Sequence, residues 1–256
     1  MSGLSAADFW LLITGAVVAG FVQGLSGFAF GMVAMSIWVW GLDPKLAAVM
    51  AVFGSLVGQV IGVFTVPRAL AWRELMPFVL GGLAGIPLGV GVLPHLDAQL
   101  FKLVLGALLV VVCPALLFAA HLPKVALRTP AVARAADALA GVGGGVLCGL
   151  GGMPGIAPTL WCTLRGFEKV AQRSVVQNFN LATLAATMLA YLATGTVTAT
   201  MWPLLPALAA AVLAPSLLGA RLYHRLSEQS FRRVVLGLLT AAGAVMLLSA
   251  APRVFD

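Results

Sequence analysis

The chain has 256 residues, of which 61% are apolar and only 9% are charged, and its mean hydropathy is +1.07. This composition excludes a soluble globular protein, and no soluble domain is expected because every connection between apolar runs is short. The net charge of +7 would suggest nucleic-acid binding in a soluble protein. Here the cations lie between the apolar runs, where they orient a membrane protein, so no nucleic-acid partner is expected.

Seven charge-free runs follow along the chain, and most are long enough to cross a hydrocarbon core that needs about 20 helical residues. They are residues 9–42, 46–67, 75–94, 103–120, 138–164, 174–220 and 234–252. The polar turn at residues 194–200 divides the sixth run into two spans. The first run is too long for a cleavable signal peptide, and Asp8 rather than Lys or Arg precedes it. We predict an all-α polytopic membrane protein with about eight hydrophobic segments, because backbone groups in lipid must be satisfied within their own segment.

Two glycine-rich breaks with the same spacing interrupt the first and the fifth segment. Residues 20–31 read GFVQGLSGFAFG and residues 145–155 read GVLCGLGGMPG. A shift of 125 residues superposes Gly20 on Gly145, Gly24 on Gly149 and then Gly27 on Gly152. Interrupted hydrophobic segments at matching positions of two halves indicate the substrate site of a transporter.

The repeat continues beyond the breaks. Asp97 and Ser227 stand 130 residues apart, before the fourth and the last span, and both are good helix N-caps. We therefore predict an N-terminal transmembrane repeat at residues 1–121, a basic cytoplasmic linker at residues 122–134 and a C-terminal transmembrane repeat at residues 135–256.

Each half begins with an oversized segment. Residues 9–42 as one straight helix would measure about 50 Å, against a hydrocarbon core of about 30 Å. The segment is either a kinked span or a hairpin that returns to its own side. Kinked spans divide the 15 Lys and Arg residues 9 to 6 between the sides, whereas hairpins divide them 12 to 3, with Lys45, Lys102 and Arg253 outside. The positive-inside rule favours hairpins, which give each half three full crossings and make the halves inverted repeats.

The breaks predict anion binding. A helix that restarts inside the membrane presents free N–H groups and the positive end of its dipole. Gly27, Gly151 and Gly152 allow a ligand to approach the backbone, and Ser26 adds a hydroxyl donor. Pro154 suits the first turn of the restarting helix. The alternative is that the glycines only permit close helix packing.

A polar stripe on the sixth span supports the first interpretation. Five residues fall within about 80° of arc at 100° per residue, namely Arg173, Gln177, Asn180, Thr187 and Tyr191. Ser55 and Gln59 occupy the corresponding face of the second span. Donors that include an arginine suit a small oxyanion. The alternatives are hydrogen bonding between helices for Gln177 and Asn180, and an interfacial position for Arg173.

Other polar residues carry less information. Asp137 opens the second broken segment and is either a proton carrier or an acid in the first turn of a helix. Trp161 lies deeper than the other tryptophans and is a candidate for the pathway lining. The three cysteines lie within apolar runs and are expected to be buried free thiols, so neither a metal nor a cofactor is predicted. They are Cys113, Cys148 and Cys162.

The chain resembles the sulfite exporter TauE/SafE family of bacterial membrane transporters over nearly its whole length. The motifs that carry the resemblance are residues 24–31, 149–155, 165–167 and 172–181. The second half keeps the glycine pair and Pro158 of the family pattern, whereas Phe28 and Phe30 stand among the glycines of the first. The resemblance implies export of small sulfur-containing anions, sulfite or organosulfonates, across the bacterial inner membrane.

We therefore predict a secondary transporter that works by alternating access and is not an enzyme, with a passive channel or a carrier of other small organic anions as the alternative. The predicted partners are a small anionic substrate and the lipid bilayer, while coupling to H⁺ or Na⁺ and a homodimer are left open. The substrate-binding residues predicted are Ser26, Gly27, Ser55, Gln59, Gly151, Gly152, Arg173, Gln177 and Asn180.

Overall fold

The computed structural model describes residues 5–65, 71–119, 123–127, 129–222 and 228–255. All regular structure in these ranges is helical, with a short 3₁₀ turn at Leu93–His95 after the fourth α-helix. The α-helices are α1 Ala6–Ser26, α2 Phe30–Trp38, α3 Pro44–Thr65, α4 Trp72–Val92, α5 Ala98–Phe118, α6 Pro130–Gly151, α7 Ile156–Leu164, α8 Lys169–Ala193, α9 Leu204–Leu222 and α10 Glu228–Phe255.

Eight of the described helices are long and apolar enough to cross a membrane, which confirms the predicted fold class. They are α1, α3, α4, α5, α6, α8, α9 and residues 233–250 of α10. The other two, α2 and α7, have nine residues each. Their length of about 13 Å is too short to span a bilayer.

Local sequence signals determine where several helices begin. The Asp97 carboxylate accepts hydrogen bonds from the N–H groups of Gln99 and Leu100 at 2.9 and 2.7 Å, which confirms it as the N-cap of α5. Ser227, the predicted cap of the last span, lies outside the described residues. Helix α6 begins at Pro130, so it already includes residues 130–134 of the predicted linker.

The first broken segment is a hairpin. Helix α2 runs back along α1, because the Trp38 indole N–H near its end donates to the carbonyl oxygens of Leu11 and Leu12, each at 3.2 Å. Gly41, three residues later, lies against Leu11. The chain therefore returns to the end of α1 at which it started, and we call α1 with α2 the first hairpin.

The second broken segment, α6 with α7, is also a hairpin. Ala157 in the first turn of α7 lies beside Gly143 in α6, and Arg165 after α7 binds Asp137 near the start of α6. Arg165 also shares one pocket with Arg73 and Arg134. Kinked spans would have placed Arg165 at the opposite end from these two arginines, so the contacts confirm the hairpin alternative.

The long helices pack across the boundary between the two halves. Helix α4 packs on α6 and α8, and its counterpart α9 packs on α1 and α3. Two further large contacts between the halves join helices that correspond to each other in the repeat, α3 with α8 and α5 with α10. Each half therefore packs mainly against the other.

The first two glycines of each motif serve this packing. In the N-terminal copy, Gly24 lies against Gly219 of α9. In the C-terminal copy, Gly149 lies against Gly89 of α4, at the corresponding place. A methyl group at either glycine would meet backbone atoms of the facing helix. For these positions the close-packing alternative is correct, and only the later glycines of each motif form the break itself.

Candidate functional site

Each break is made by one glycine in the left-handed conformation. Gly27 has φ +80° and ends α1, and its N–H donates to the carbonyl of Gln23. Gly152 has φ +66° and ends α6, and its N–H donates to the carbonyl of Cys148. A side chain at either position would be strained, because L-residues rarely adopt this conformation. The equivalence predicted from the shift of 125 residues is thus present in the backbone.

Helix α3 contacts both breaks. The Gln59 side chain donates to the carbonyl oxygen of Gly27 at 2.7 Å. The Ser55 hydroxyl, one turn earlier, donates to the carbonyl oxygen of Gly152 at 3.2 Å. Both side chains are buried. Two predicted site residues from the first half therefore hold the two breaks together.

Helix α8 contacts the same two breaks from the other half. A Cβ placed on Gly27 would lie 3.3 Å from Nε2 of Gln177. A Cβ placed on Gly155, at the start of α7, would lie 2.9 Å from Nδ2 and 3.0 Å from Oδ1 of Asn180. Gln177 and Asn180 are both buried. The structure therefore brings six of the nine predicted residues around one centre, Gly27, Ser55, Gln59, Gly152, Gln177 and Asn180.

The first break is capped by side chains of its own hairpin. The Ser26 oxygen accepts hydrogen bonds from the N–H groups of Phe28 and Ala29 at 3.4 and 3.2 Å, while its O–H donates to the carbonyl of Val22 at 2.8 Å. The N–H of Phe30, the first residue of α2, donates to Oε1 of Gln23 at 3.1 Å. Three donors at this restart, the N–H groups of Phe28, Ala29 and Phe30, therefore have side-chain acceptors within the protein.

Gln23 is a buried polar residue of the first break that the sequence reasoning missed. It is 3% exposed, and its Nε2 donates to the carbonyl of Ser55 at 3.0 Å while its Oε1 caps α2. The available signal was a lone glutamine in an apolar span, inside the glycine motif. Such polar groups are expensive in a membrane unless they have partners.

The second break has no such caps. At the shift of 125 residues, Cys148 and Gly151 stand where the first break has Gln23 and Ser26. Among the described residues, no side chain accepts from the N–H groups of Gly155, Ile156 or Ala157, and Pro154 has no N–H. These N–H groups also have no backbone acceptor among the described residues.

Two buried polar atoms beside this break have no hydrogen-bond partner within the described chain. They are Oδ1 of Asn180, in a side chain only 1% exposed, and the hydroxyl oxygen of Thr159 in α7. Buried polar atoms are nearly always paired, so an unpaired one requires an explanation. The amide of Asn180 lies against Gly155 and can present either its oxygen or its NH₂ group, since a half-turn exchanges them.

The remaining stripe residues have other surroundings. The Tyr191 hydroxyl donates to the carbonyl of Gly149 at 2.7 Å, and the Thr187 hydroxyl donates to Sγ of Cys148 at 3.2 Å. These two residues therefore join α8 to α6, a role that the alternative interpretation had given to Gln177 and Asn180. Arg173 is half-buried, one turn before Gln177 on α8. Gly151 lies against Met35 of the first hairpin.

The mouth of the second hairpin, which is the end where α6 starts and α7 finishes, holds an ion pair. The Arg165 Nη1 group lies 2.8 and 2.6 Å from the two carboxylate oxygens of Asp137, and Nε1 of Trp161 donates to the same carboxylate at 2.8 Å. Asp137 is the eighth residue of α6, so the prediction of a first-turn acid is wrong. That prediction assumed that the helix begins near residue 135, whereas α6 begins at Pro130.

Comparison with known families agrees with this geometry. The family model of the sulfite exporter TauE/SafE matches residues 12–246, nearly the whole chain and both hairpins. The chain belongs to the TauE/SafE family. Searches of curated proteins and of solved structures return no significant match. The predicted resemblance is confirmed, and as a TauE/SafE protein with eight candidate spans the chain is a multi-pass membrane transporter.

Proposed function

We propose that this TauE/SafE protein is a secondary transporter that exports small sulfur-containing anions, sulfite or organosulfonates, across the bacterial inner membrane. The observation that carries the proposal is the uncapped start of α7 with the unpaired buried amide oxygen of Asn180 beside it. Family membership supports transport of this class of substrate.

An oxyanion fits the second break on chemical grounds. Three consecutive N–H groups at the N-terminus of a nine-residue helix form an anion site, and the helix dipole adds positive potential there. The Asn180 amide would donate to a bound oxygen, or accept from a protonated one. Gly155 lacks a side chain, so the Asn180 amide lies directly against the backbone at this restart. Arg173, two turns from Asn180 along α8, would add long-range positive charge.

In this proposal the remaining predicted residues hold the two breaks in place. Gln59 and Ser55 bind the carbonyl groups of Gly27 and Gly152, so they join both breaks to α3. Gln177 lies against Gly27, between the first break and Asn180. Substrate transfer would require these contacts to rearrange.

Alternating access is supported by the way the halves pack. Each half contributes one hairpin, and the largest helix contacts join helices of different halves. Two inverted halves that rock about the crossing of α3 and α8 would expose the second break to one side and then to the other.

The proposal is tested with purified protein in liposomes. We expect exchange of ³⁵S-sulfite for internal unlabelled sulfite, and thermal stabilisation by sulfite or an organosulfonate but not by a matched carboxylate. Flux that is never accelerated by substrate on the opposite side would indicate a passive channel.

Asn180→Leu tests the site itself. It removes the amide and keeps an apolar volume, and because hydrogen bonds to charged groups are strong, sulfite affinity should fall about tenfold or more. The matched control is Tyr191→Phe, which removes a buried hydroxyl from the same helix outside the break. Tyr191→Phe should lower the melting temperature but keep the affinity. Equal affinity in the Asn180→Leu protein would exclude the second break as the site.

A further inference from the structure

A pocket of about 530 Å³ opens where the starts of α4 and α6 meet the end of α7. We call it the arginine pocket, because Arg73, Arg134 and Arg165 line it. Asp137, at one wall of the pocket, is the only buried charged side chain among the described residues, with 4% exposure. It lies about 10 Å along α6 from Pro130, so it belongs to the span rather than to its rim.

We infer that Asp137 and Arg165 form a proton-linked anion site, in which a substrate oxyanion replaces the Asp137 carboxylate on Arg165 while Asp137 takes up a proton. The inference rests on the proposed function, because it supplies the coupling ion for the same substrate. It names H⁺ as that ion and assigns its carrier.

The step balances in atoms and charge. Arg165 stays cationic and exchanges one oxyanion partner for another. The proton comes from the water in the arginine pocket and binds one carboxylate oxygen of Asp137, and no electrons move. A singly charged anion and one proton therefore enter the site together without net charge, so an acid pH on the side of the pocket favours binding, and export follows the outward gradient of the anion rather than an inward proton gradient.

The geometry favours this exchange over a fixed structural pair. Arg165 faces the pocket with 22% of its side chain exposed, so an anion in the pocket reaches the guanidinium that Asp137 now occupies. A guanidinium binds planar or tetrahedral oxyanions as readily as carboxylates. Arg73 and Arg134 raise the local anion concentration. Once displaced, the buried carboxylate has lost its counter-ion, and protonation then removes the unpaired charge.

The groups around Asp137 support its assignment as the proton carrier. Trp161 keeps a donor on the carboxyl group in either protonation state. Glu74, the other acid at the pocket, is exposed to water. The charged or titratable groups of the described chain at the pocket or beside Asp137 are Arg134 on α6, Arg73 and Glu74 on α4, Cys162 on α7 and Arg165, and Lys124 packs on Gly166 directly after Arg165.

The ion pair also connects the pocket to the second break. Asp137 binds both Trp161 within α7 and Arg165 directly after it, and so fastens the far end of α7 to α6. Replacement of Asp137 by the anion would release Arg165 from α6 and loosen the end of α7, whose N-terminus is the proposed substrate site, while Trp161 keeps its hydrogen bond to Asp137. Uptake at the pocket and release of the break would then be one linked event.

The test uses the full chain in liposomes, with ³⁵S-sulfite at mildly acidic pH, where the singly charged bisulfite predominates. For the wild type we expect accumulation when a pH gradient is imposed, and none when a membrane potential is imposed without it. Asp137→Asn should lose the response to pH and gain a response to potential, while Asp137→Glu should restore the wild-type pattern. The control is Asp97→Asn, the same change at an exposed N-cap, where asparagine caps equally well.

The outcomes separate the two proposals. An unchanged pH response in Asp137→Asn overturns the inference. Accumulation by the wild type in response to potential alone also overturns it, and this measurement needs no variant to fold. Failure of the wild type to exchange sulfite at all would instead contradict the proposed function.

Discussion

The two breaks have the same backbone and different chemistry. Gly27 and Gly152 end their helices in the same left-handed conformation, and both carbonyl groups are bound by α3. At the first break, Ser26 and Gln23 accept hydrogen bonds from three N–H groups, those of Phe28, Ala29 and Phe30. At the second, no side chain of the described residues does so. One glycine is enough to make the turn, and the neighbouring side chains decide whether the turn is scaffold or site.

The mouths of the two hairpins differ in the same way. The first is closed by the Trp38 indole, which donates to two backbone carbonyls. The second is closed by the Asp137–Arg165 ion pair. In the function and the inference proposed above, the first hairpin is static and the second responds to substrate and protons.

The largest effect is expected from Gly152→Leu. A Cβ there would lie 2.8 Å from the backbone of Ala51 and Val52, in a conformation that leucine rarely adopts. Sulfite exchange should be abolished, although the protein should still insert in the membrane. The control is Gly195→Ala, with φ +69° and open space around the site, which should keep its flux. Wild-type flux in Gly152→Leu would contradict a functional second break.

A smaller effect is expected from Gln23→Leu, which leaves the buried N–H of Phe30 without an acceptor. Loss of such a cap destabilises a protein by about 1–3 kcal/mol, so the melting temperature in detergent should fall. Sulfite affinity should stay near the wild-type value, because the first break is scaffold. If affinity falls as far as in Asn180→Leu, the two breaks are functionally equivalent and the comparison fails.

The smallest effect is expected from Ser26→Ala, measured by the same melting assay. It removes the acceptor for two N–H groups at a half-buried position, and a cap of this kind contributes about 1 kcal/mol. Ser26 was predicted to bind substrate, and its hydroxyl here serves Val22 and the restart of α2. A selective loss of sulfite affinity without loss of stability would restore the substrate role.

Much of the fold could be predicted from local patterns. Apolar length predicts the eight spans, Asp97 predicts the start of α5, and the aligned glycines predict where both segments break. These signals are local, because a helix start, a span and a left-handed turn each depend on a few consecutive residues. The count of cations also favoured hairpins, since orientation in the bilayer depends on where charges lie along the chain.

The sequence by itself therefore determined the family, the spans and the positions of the two breaks. Only the tertiary structure decided which glycines pack and which turn, that Gln23 caps the first break, and that Asp137 pairs with Arg165. These facts depend on contacts between residues that are distant in sequence, such as Gly24 with Gly219 or Ser55 with Gly152. Periodicity and composition do not identify such partners. A polar residue in an apolar span shows only that it needs a hydrogen-bond partner, not which residue provides it.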